Sequence, residues 1–279
     1  MSGTLYLVGT PIGNLSDLSP RAKQILASVD FIAAEDTRVS LKLLNHFDIR
    51  RPLVSYHEHN RAQSGEKILT RLLAGESCAL VTDAGMPAIS DPGEDLVRLC
   101  AEHDVIVSPV PGPSACIAAL AASALPTQRF CFEGFLSTAK KSRAEHLREL
   151  KDEKRTMIFH EAPHKLVRTL ADMLAAWGDR DVAVCRELTK LHEQFFRCTL
   201  SEALAYYEQN PPKGEFVLVV RGAEEAAAPE MTRAEALELV KRLRGEGMRL
   251  KDACREAADA AGLATNELYQ AALRESSGD

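Results

Sequence analysis

The chain lacks an excess of positive charge, any closely paired cysteines, and any apolar run long enough to cross a bilayer. Its 34 Lys and Arg are outnumbered by 40 Asp and Glu among 279 residues, giving a net charge of −6. That balance gives no encouragement to a globally basic nucleic-acid-binding surface and leaves a local basic face as the route to phosphate contacts. Seven cysteines, at 78, 100, 116, 131, 185, 198 and 254, are scattered with no C-x-x-C pair. An odd number among apolar neighbours reads as reduced thiols in a cytoplasmic protein. The longest small-apolar stretch, residues 115–125, is too short for a membrane span and contains Ser123. No basic signal-peptide-like segment precedes the first apolar run. Nucleotide fingerprints are absent as well. Gly9 and Gly13 are spaced G-x-x-x-G rather than G-x-G-x-x-G, and no Gly-Lys-Ser/Thr occurs. These absences argue against a nicotinamide oxidoreductase or a P-loop NTPase.

What is present is a set of three Gly/Pro-rich loops, each following a continuous apolar run. Leu5–Val8 leads into Gly9-Thr10-Pro11-Ile12-Gly13-Asn14. Ala79–Thr82 leads into Asp83-Ala84-Gly85-Met86-Pro87, with Ile89-Ser90-Asp91-Pro92-Gly93 behind it. Val105–Val107 leads into Pro109-Val110-Pro111-Gly112-Pro113-Ser114. Unbroken apolar runs of this kind are strands of a parallel sheet covered on both faces. Ligands of open α/β sheets bind at the carboxyl ends of such strands. Glycine lets backbone approach a ligand closely and proline fixes the loop's shape, so the three loops point to a preformed small-molecule site.

Strands and helices alternate through a first α/β domain over residues 1–125. Ser19-Pro20 opens one helix, and Asp91-Pro92-Gly93-Glu94 has the spacing of a capping box that opens another. Ser114 is placed to cap an Ala-rich helix. A second domain over residues 126–223 has apolar runs at 130–135, 156–160, 182–185, 195–200 and 216–220. Helices are predicted over residues 141–151, 163–177 and 201–209. Having fewer crossover helices per strand, this half is predicted to form a mixed sheet. Residues 223–229 read as an Ala/Glu-rich linker ending in proline. Residues 229–279 then form a small helical unit, opened by a Thr232/Glu235 capping box and compatible with a helix-turn-helix. Eight Lys and Arg against ten Asp and Glu in that unit weaken a nucleic-acid role.

Several polar clusters carry candidate chemistry. Asp36, in Glu35-Asp36-Thr37-Arg38 at a strand end, is either a helix cap or a site residue. Arg186-Glu187-Leu188-Thr189-Lys190 also follows a strand and mixes both charge signs, as a site or a structural ion pair would. His57 and His59 share one face of an extended segment, but no third ligand follows at a metal-binding spacing, so they fit a polar pocket wall or an RNA-contacting loop. Residues 140–155 hold seven basic and four acidic side chains, a solvated helix face or a phosphate-contacting surface.

Taken in order, the loops resemble those of the tetrapyrrole-methylase-like superfamily of S-adenosylmethionine-dependent methyltransferases. They are more closely similar to the ribosomal RNA small subunit methyltransferase I family. The carrying residues are Leu7–Leu15, Ala33–Arg38, Asp83–Pro87 with Ser90–Gly93, Pro111–Ser114, Phe132–Leu136, Arg186–Lys190 and Lys213–Glu215. The resemblance implies two α/β domains with the cofactor in the cleft between them, a homodimer, and methylation of a cytidine ribose 2′-hydroxyl in the decoding region of 16S ribosomal RNA. The implied cofactor contacts are Pro11, Thr82, Asp83, Ala84, Gly85, Pro87, Pro111, Gly112, Pro113 and Ser114. Candidate catalytic groups are Asp36, Glu187 and Lys190. Candidate RNA contacts are Asn14, Arg38, His57, His59, Lys140, Lys141 and Arg143. No metal is implied. The rival readings are a tetrapyrrole methyltransferase of the same fold and a nonenzymatic RNA-binding protein of the small subunit.

Overall fold

The computed structural model describes residues 2–224 and 231–277. The chain divides into two compact units, Met1–Gly222 and Ala223–Asp279. From residue 225 onward, the segment read as a linker lies outside the described residues.

The first unit contains two five-stranded sheets. Strands β1 (Thr4–Val8), β2 (Phe31–Ala34), β3 (Leu53–Ser55), β4 (Cys78–Val81) and β5 (Ile106–Val110) form the first, in the order β3-β2-β4-β1-β5. All its pairings are parallel. Helices α1 (Pro20–Ser28) and α2 (Thr37–His46) bury Ala22, Leu26 and Leu44 against one face. Helices α3 (Arg61–Leu73) and α4 (Glu94–Glu102) bury Ile68, Leu72 and Leu96 against the other. Two covered faces account for the unbroken apolar runs. The chain leaves β1 toward β2 on one side and β4 toward β5 on the other. The loops after β1 and β4 therefore part at a topological switch point, where such sheets open a crevice.

The second sheet is mixed, as its sparse crossovers predict. Strands β6 (Phe130–Phe135), β7 (Thr156–Glu161), β8 (Asp181–Arg186), β9 (Gln194–Thr199) and β10 (Phe216–Val220) run in the order β6-β7-β10-β8-β9. Only β6 and β7 pair in parallel. Helices α6 (Lys140–Glu149), α7 (Leu166–Trp177) and α8 (Leu200–Gln209) cover one face through Leu147, Leu170, Met173 and Ala203. The other face is covered by α5 (Ala115–Ala122), whose Cys116, Ala119 and Leu120 pack on Ile158, Ala183 and Val219. A helix apolar on nearly every side is suited to such burial. This helix leaves the first sheet and packs on the second, so it joins the two halves into one body.

Three helix starts differ from the sequence expectation. Ser114 makes no capping hydrogen bond, and its Oγ lies 3.2 Å from Cys116 Sγ instead. Helix α4 begins at Glu94, with Gly93 at φ 146° as its cap, so Asp91 does not cap it. The helix expected from Pro163 opens as a 3₁₀ turn over Pro163–Lys165 before α7 begins. The expected Thr232/Glu235 capping box does form, and a second one, Thr199/Glu202, opens α8.

The second unit packs α9 (Arg233–Gly245), α10 (Leu250–Ala261) and α11 (Thr265–Ser277) around Ala236, Val240, Ala253, Cys254, Ala257 and Leu268. Gly262 at φ 63° supplies the left-handed turn that ends α10. Among the described residues, no helix is long and apolar enough to cross a membrane.

Candidate active site

A cleft of about 410 Å³ lies between the carboxyl edge of the first sheet and the second sheet. The first half contributes Ile12 after β1, Glu35 after β2, residues 83–86 and 89–91 after β4, and residues 114–116 after β5. From the second half come Phe135, residues 160–163, Leu188 and residues 215–217. The loops of the first sheet are locked to one another through backbone. Thr10 N–H donates to Gly85 O at 2.8 Å, and Gly85 N–H donates back to Thr10 O at 3.1 Å. The hydroxyl of Thr10 donates to Thr82 O at 3.1 Å. Gly9 and Gly112 pack so closely that a Cβ on Gly112 would lie 2.7 Å from Gly9 O. Gly85, at φ 86°, lines the cleft, and a Cβ there would lie 3.7 Å from Ile12 Cγ2 and 3.8 Å from Pro113 O. The result is a set of loops fixed to one another through backbone.

Carboxylates dominate the polar lining on this side. Asp83 N–H approaches Glu35 Oε2 at 3.4 Å, and Asp36 N–H donates to Asp83 Oδ1 at 3.2 Å. Burial raises the pKa of both Glu35 and Asp83. Asp91 is pushed up to about 6, first by burial and then by the charges of Glu35 and Asp83. Across the cleft, burial depresses the pKa of His160, whose ring stands edge-on to Phe132 and Phe135. Glu161 is buried and already engaged, accepting from Thr169 Oγ1 and from Ala162 N–H.

The candidate catalytic residues sit in two places. Asp36 caps α2 and holds the exposed Arg38 side chain at 2.6 Å. Hydrogen bonds from Arg38 keep the Asp36 carboxyl far below the usual range, so the structure gives it the cap alternative. Lys190 Nζ donates to Glu187 Oε1 at 2.9 Å and to Glu215 Oε2 at 2.8 Å. Burial pulls the ammonium pKa down, but the two carboxylates outweigh it and the net shift is upward. Lys190 is therefore held as a cation between two carboxylates. Its loop is strained, with Glu187 at φ 52° and Thr189 at φ 65°.

Of the residues implied to bind a cofactor, Asp83, Ala84, Gly85 and Ser114 line the cleft, while the others shape the loops that carry them. None of the candidate RNA contacts lines it. Asn14 caps a short 3₁₀ turn over Leu15–Asp17. His57 and His59 stand with ring centres 6.0 Å apart after β3, and among the described residues no set of three or more His, Cys, Asp or Glu is placed to hold a metal. Lys140 and Lys141 are exposed at the start of α6. Arg143 is a correction: its side chain is only 5% exposed, pairs with Asp172 at 2.6 Å and donates to Thr169 Oγ1 at 2.8 Å. Helical periodicity turns it inward while its neighbours face water. Arg143→Ala should lower unfolding free energy by about 2–4 kcal/mol, because it removes a buried guanidinium together with its 2.6 Å bond to Asp172 and its 2.8 Å bond to Thr169. Urea denaturation reads this directly, and a change below about 0.5 kcal/mol would contradict the buried-pair assignment.

His160 and Glu161 line the cleft and were not singled out by sequence reasoning, while Asp91 and Phe135 lay within quoted motifs without being named as contacts. His160 and Glu161 end an apolar strand and looked like its boundary, and Asp91 looked like a helix cap.

The architecture agrees with its family matches. Residues 4–204 match the model of the Tetrapyrrole (Corrin/Porphyrin) Methylases, and residues 230–276 match the RsmI C-terminal HTH domain. Among solved structures, a uroporphyrin-III C-methyl transferase from Thermus thermophilus complexed with S-adenyl homocysteine superposes with TM-score 0.56 at 19% identity. That match covers 78% of this chain and 97% of the other, and it shows the fold. These matches define a methylase of the tetrapyrrole type. A Synechocystis ribosomal RNA small subunit methyltransferase I is 49% identical over 97% of this chain and 98% of its own length. The Thermotoga maritima protein of the same name is 47% identical over 80% of this chain and 100% of its own. The chain belongs to the ribosomal RNA small subunit methyltransferase I family.

Proposed function

We propose that this methyltransferase moves the methyl group of S-adenosylmethionine to the ribose 2′-hydroxyl of a cytidine in the decoding region of 16S ribosomal RNA. The observation that carries the reading is the near-complete match, at 49% identity, to a relative named for the small ribosomal subunit. The cleft fits the methyl donor. Its first wall is built from residues 83–86 and 114–116, including Gly85. The Thr82 hydroxyl nearby is buried without a hydrogen-bond partner. Asp83, Ala84, Gly85 and Ser114 would hold the donor, with Pro11, Thr82, Pro87, Pro111, Gly112 and Pro113 fixing their loops. When bound, the sulfonium supplies an electrophilic methyl group and departs as a neutral thioether.

The protein's part is chiefly positioning, which can supply several kcal/mol of a bimolecular barrier. Rigid loops hold the donor side, and Phe135 and Ile89 form an exposed apolar rim where a splayed-out base can stack. Lys190, charged and anchored by two carboxylates, offers a fixed cation beside the cleft wall at Glu215. Exposed Lys140, Lys141 and Arg38 are available to phosphates. The enzyme acts in the cytoplasm, where its acceptor is assembled.

The deciding assay offers purified small subunits lacking the modification, free 16S RNA, and precorrin-type tetrapyrroles as parallel acceptors. Mass spectrometry of digested RNA should find 2′-O-methylcytidine, and tetrapyrroles should gain no methyl group. Methylation of the tetrapyrrole alone would replace this reading. A homodimer belongs to the same proposal, C2 assembly being the commonest oligomeric form. Light scattering should return twice the 30.5 kDa chain mass, and a monomer at micromolar concentration would refute the dimer.

A further inference from the structure

A ribose hydroxyl is a weak nucleophile, and its attack is assisted by a group that takes its proton. The cleft offers several acids and bases, and their hydrogen bonds distinguish them. Lys190 is protonated, and it occupies Glu187 and Glu215. Glu161 has one oxygen bound by Thr169 and the other by Ala162 N–H. Glu35 and Asp83 accept from the backbone of each other's strand ends. His160 Nε2 is closed off from solvent with no hydrogen-bond partner among the described residues, its ring set against two phenylalanines. Asp91 alone among these carboxylates has no hydrogen bond or ion pair among the described residues, and it lines the cleft.

The backbone around Asp91 is built to keep it there. Ala88 at φ 67° and Ser90 at φ 62° take left-handed conformations that non-glycine residues disfavour, and Gly93 follows at φ 146°. Such strain persists where the surroundings over-determine it, and it clusters at active sites. Ala88 N–H reaches back to Pro92 O at 3.4 Å, and a Cβ on Gly134 of the β6 bulge would lie 3.1 Å from Ser90 Oγ. The loop is thus closed on itself and touches the opposite wall. Its twist leaves the α4 cap to Gly93 and frees the Asp91 carboxylate from the capping position that its sequence spacing suggests.

We propose that Asp91 accepts the proton of the attacking 2′-hydroxyl. The proposal rests on the acceptor class given above. As the ribose oxygen forms its bond to the methyl carbon, the O–H proton passes to the Asp91 carboxylate. The methyl–sulfur bond breaks with its electron pair left on sulfur, and the aspartic acid returns the proton to water after the products leave. Glu35 and Asp83 act on Asp91 through their charges; His160, Glu161 and Glu215 share the cleft lining with it, and Glu94 and Asp95 stand in the first turn of α4. Burial and the two neighbouring carboxylates hold Asp91 at about 6, a basicity suited to proton abstraction near neutral pH.

The test compares the wild type with Asp91→Asn and Asp91→Glu in single-turnover methylation of small subunits between pH 5 and 8. The wild-type rate should rise roughly tenfold per pH unit below about 6 and level off above it. Asp91→Asn should lose ~100- to 10,000-fold in rate and show no limb near 6, with donor affinity by calorimetry within about twofold. Asp91→Glu should keep part of the rate with its limb displaced. A second readout needs no acceptor: in carbon-detected NMR, the carboxyl signal missing from Asp91→Asn should titrate near 6 in the free protein. An Asp91→Asn enzyme within about threefold of wild type, an unchanged pH limb, or a carboxyl titrating in the ordinary range would overturn the assignment. If Asp91→Asn does not fold, the Asp91→Glu limb and the wild-type titration decide. A wild type that makes no 2′-O-methylcytidine defeats the acceptor reading, whereas an active wild type matched by Asp91→Asn defeats only the role of Asp91.

Discussion

Gly112→Val should weaken methyl-donor binding severely, and Gly85→Val should do so with less damage to the fold. The two glycines are required for different reasons. A Cβ on Gly112 would meet Gly9 O at 2.7 Å and Gly9 Cα at 2.8 Å, both backbone atoms of the neighbouring loop. Backbone cannot rotate away as a side-chain tip can, so the loops after β1 and β5 must separate. The displacement passes on to Gly85, because Thr10 is hydrogen-bonded to it in both directions. Overpacking of this kind costs about 1–3 kcal/mol of stability and misplaces the donor wall. At Gly85 there is room, since the nearest atoms to a Cβ are 3.7 and 3.8 Å away, but φ is 86°. A β-branched residue there costs about 1–2 kcal/mol in backbone strain and projects its methyl groups into the cleft. Calorimetry should show at least ~100-fold weaker S-adenosylmethionine binding for Gly112→Val, a loss of roughly 2.7 kcal/mol. Circular dichroism should show both variants folded. If both bind the donor as the wild type does, these loops are not its site.

The same glycines explain how much of the molecule was legible in the sequence. Parallel strands buried on both faces advertise themselves as continuous apolar runs, and the loops behind them as Gly/Pro clusters, so the first sheet and its ligand edge were readable. The mixed second sheet followed from its shortage of crossover helices. What local sequence does not encode is which strands become neighbours. The order β3-β2-β4-β1-β5 brings the loops after β1 and β4 side by side although more than 70 residues separate them, as the Thr10–Gly85 pair shows. The second wall of the cleft was hidden for the same reason. His160 and Glu161 end an ordinary apolar strand, and only the packing of α5 on the second sheet carries them opposite Asp83 and Asp91. Arg143 and Asp91 were misread through local spacing. A basic run on a helix includes the position that turns inward, and a capping-box pattern yields where left-handed residues redirect the chain. The acidic cap at Asp36 shows the opposite case, in which the local pattern prevailed.

Deleting residues 223–279 should leave donor affinity nearly unchanged and weaken small-subunit binding by roughly 10- to 100-fold at moderate salt. The first unit carries every residue that lines the cleft, and it has its own cores on both sheets. It spans 222 of 279 residues, and the match to the Thermotoga maritima relative covers 80% of this chain and the whole of that protein. Roughly a fifth of this chain therefore has no counterpart in that relative. The helical unit is acidic on balance, yet its basic residues are not evenly spread. Lys241, Arg242, Arg244, Arg249, Lys251 and Arg255 fall between the end of α9 and the first half of α10, and all are exposed. Phosphate contacts work through local neutralisation and counterion release, so such a stretch can bind RNA where the unit's net charge predicts repulsion. Every cation–phosphate pair that the deletion removes should reduce the slope of log affinity against log salt by about 0.7–0.9. Filter binding of truncated and full-length protein to small subunits across a salt series reads both quantities, and calorimetry reads the donor. A truncated protein with wild-type subunit affinity and wild-type salt slope would place the RNA contacts wholly on the two-sheet unit, with Lys140, Lys141 and Arg38 left as their exposed cations.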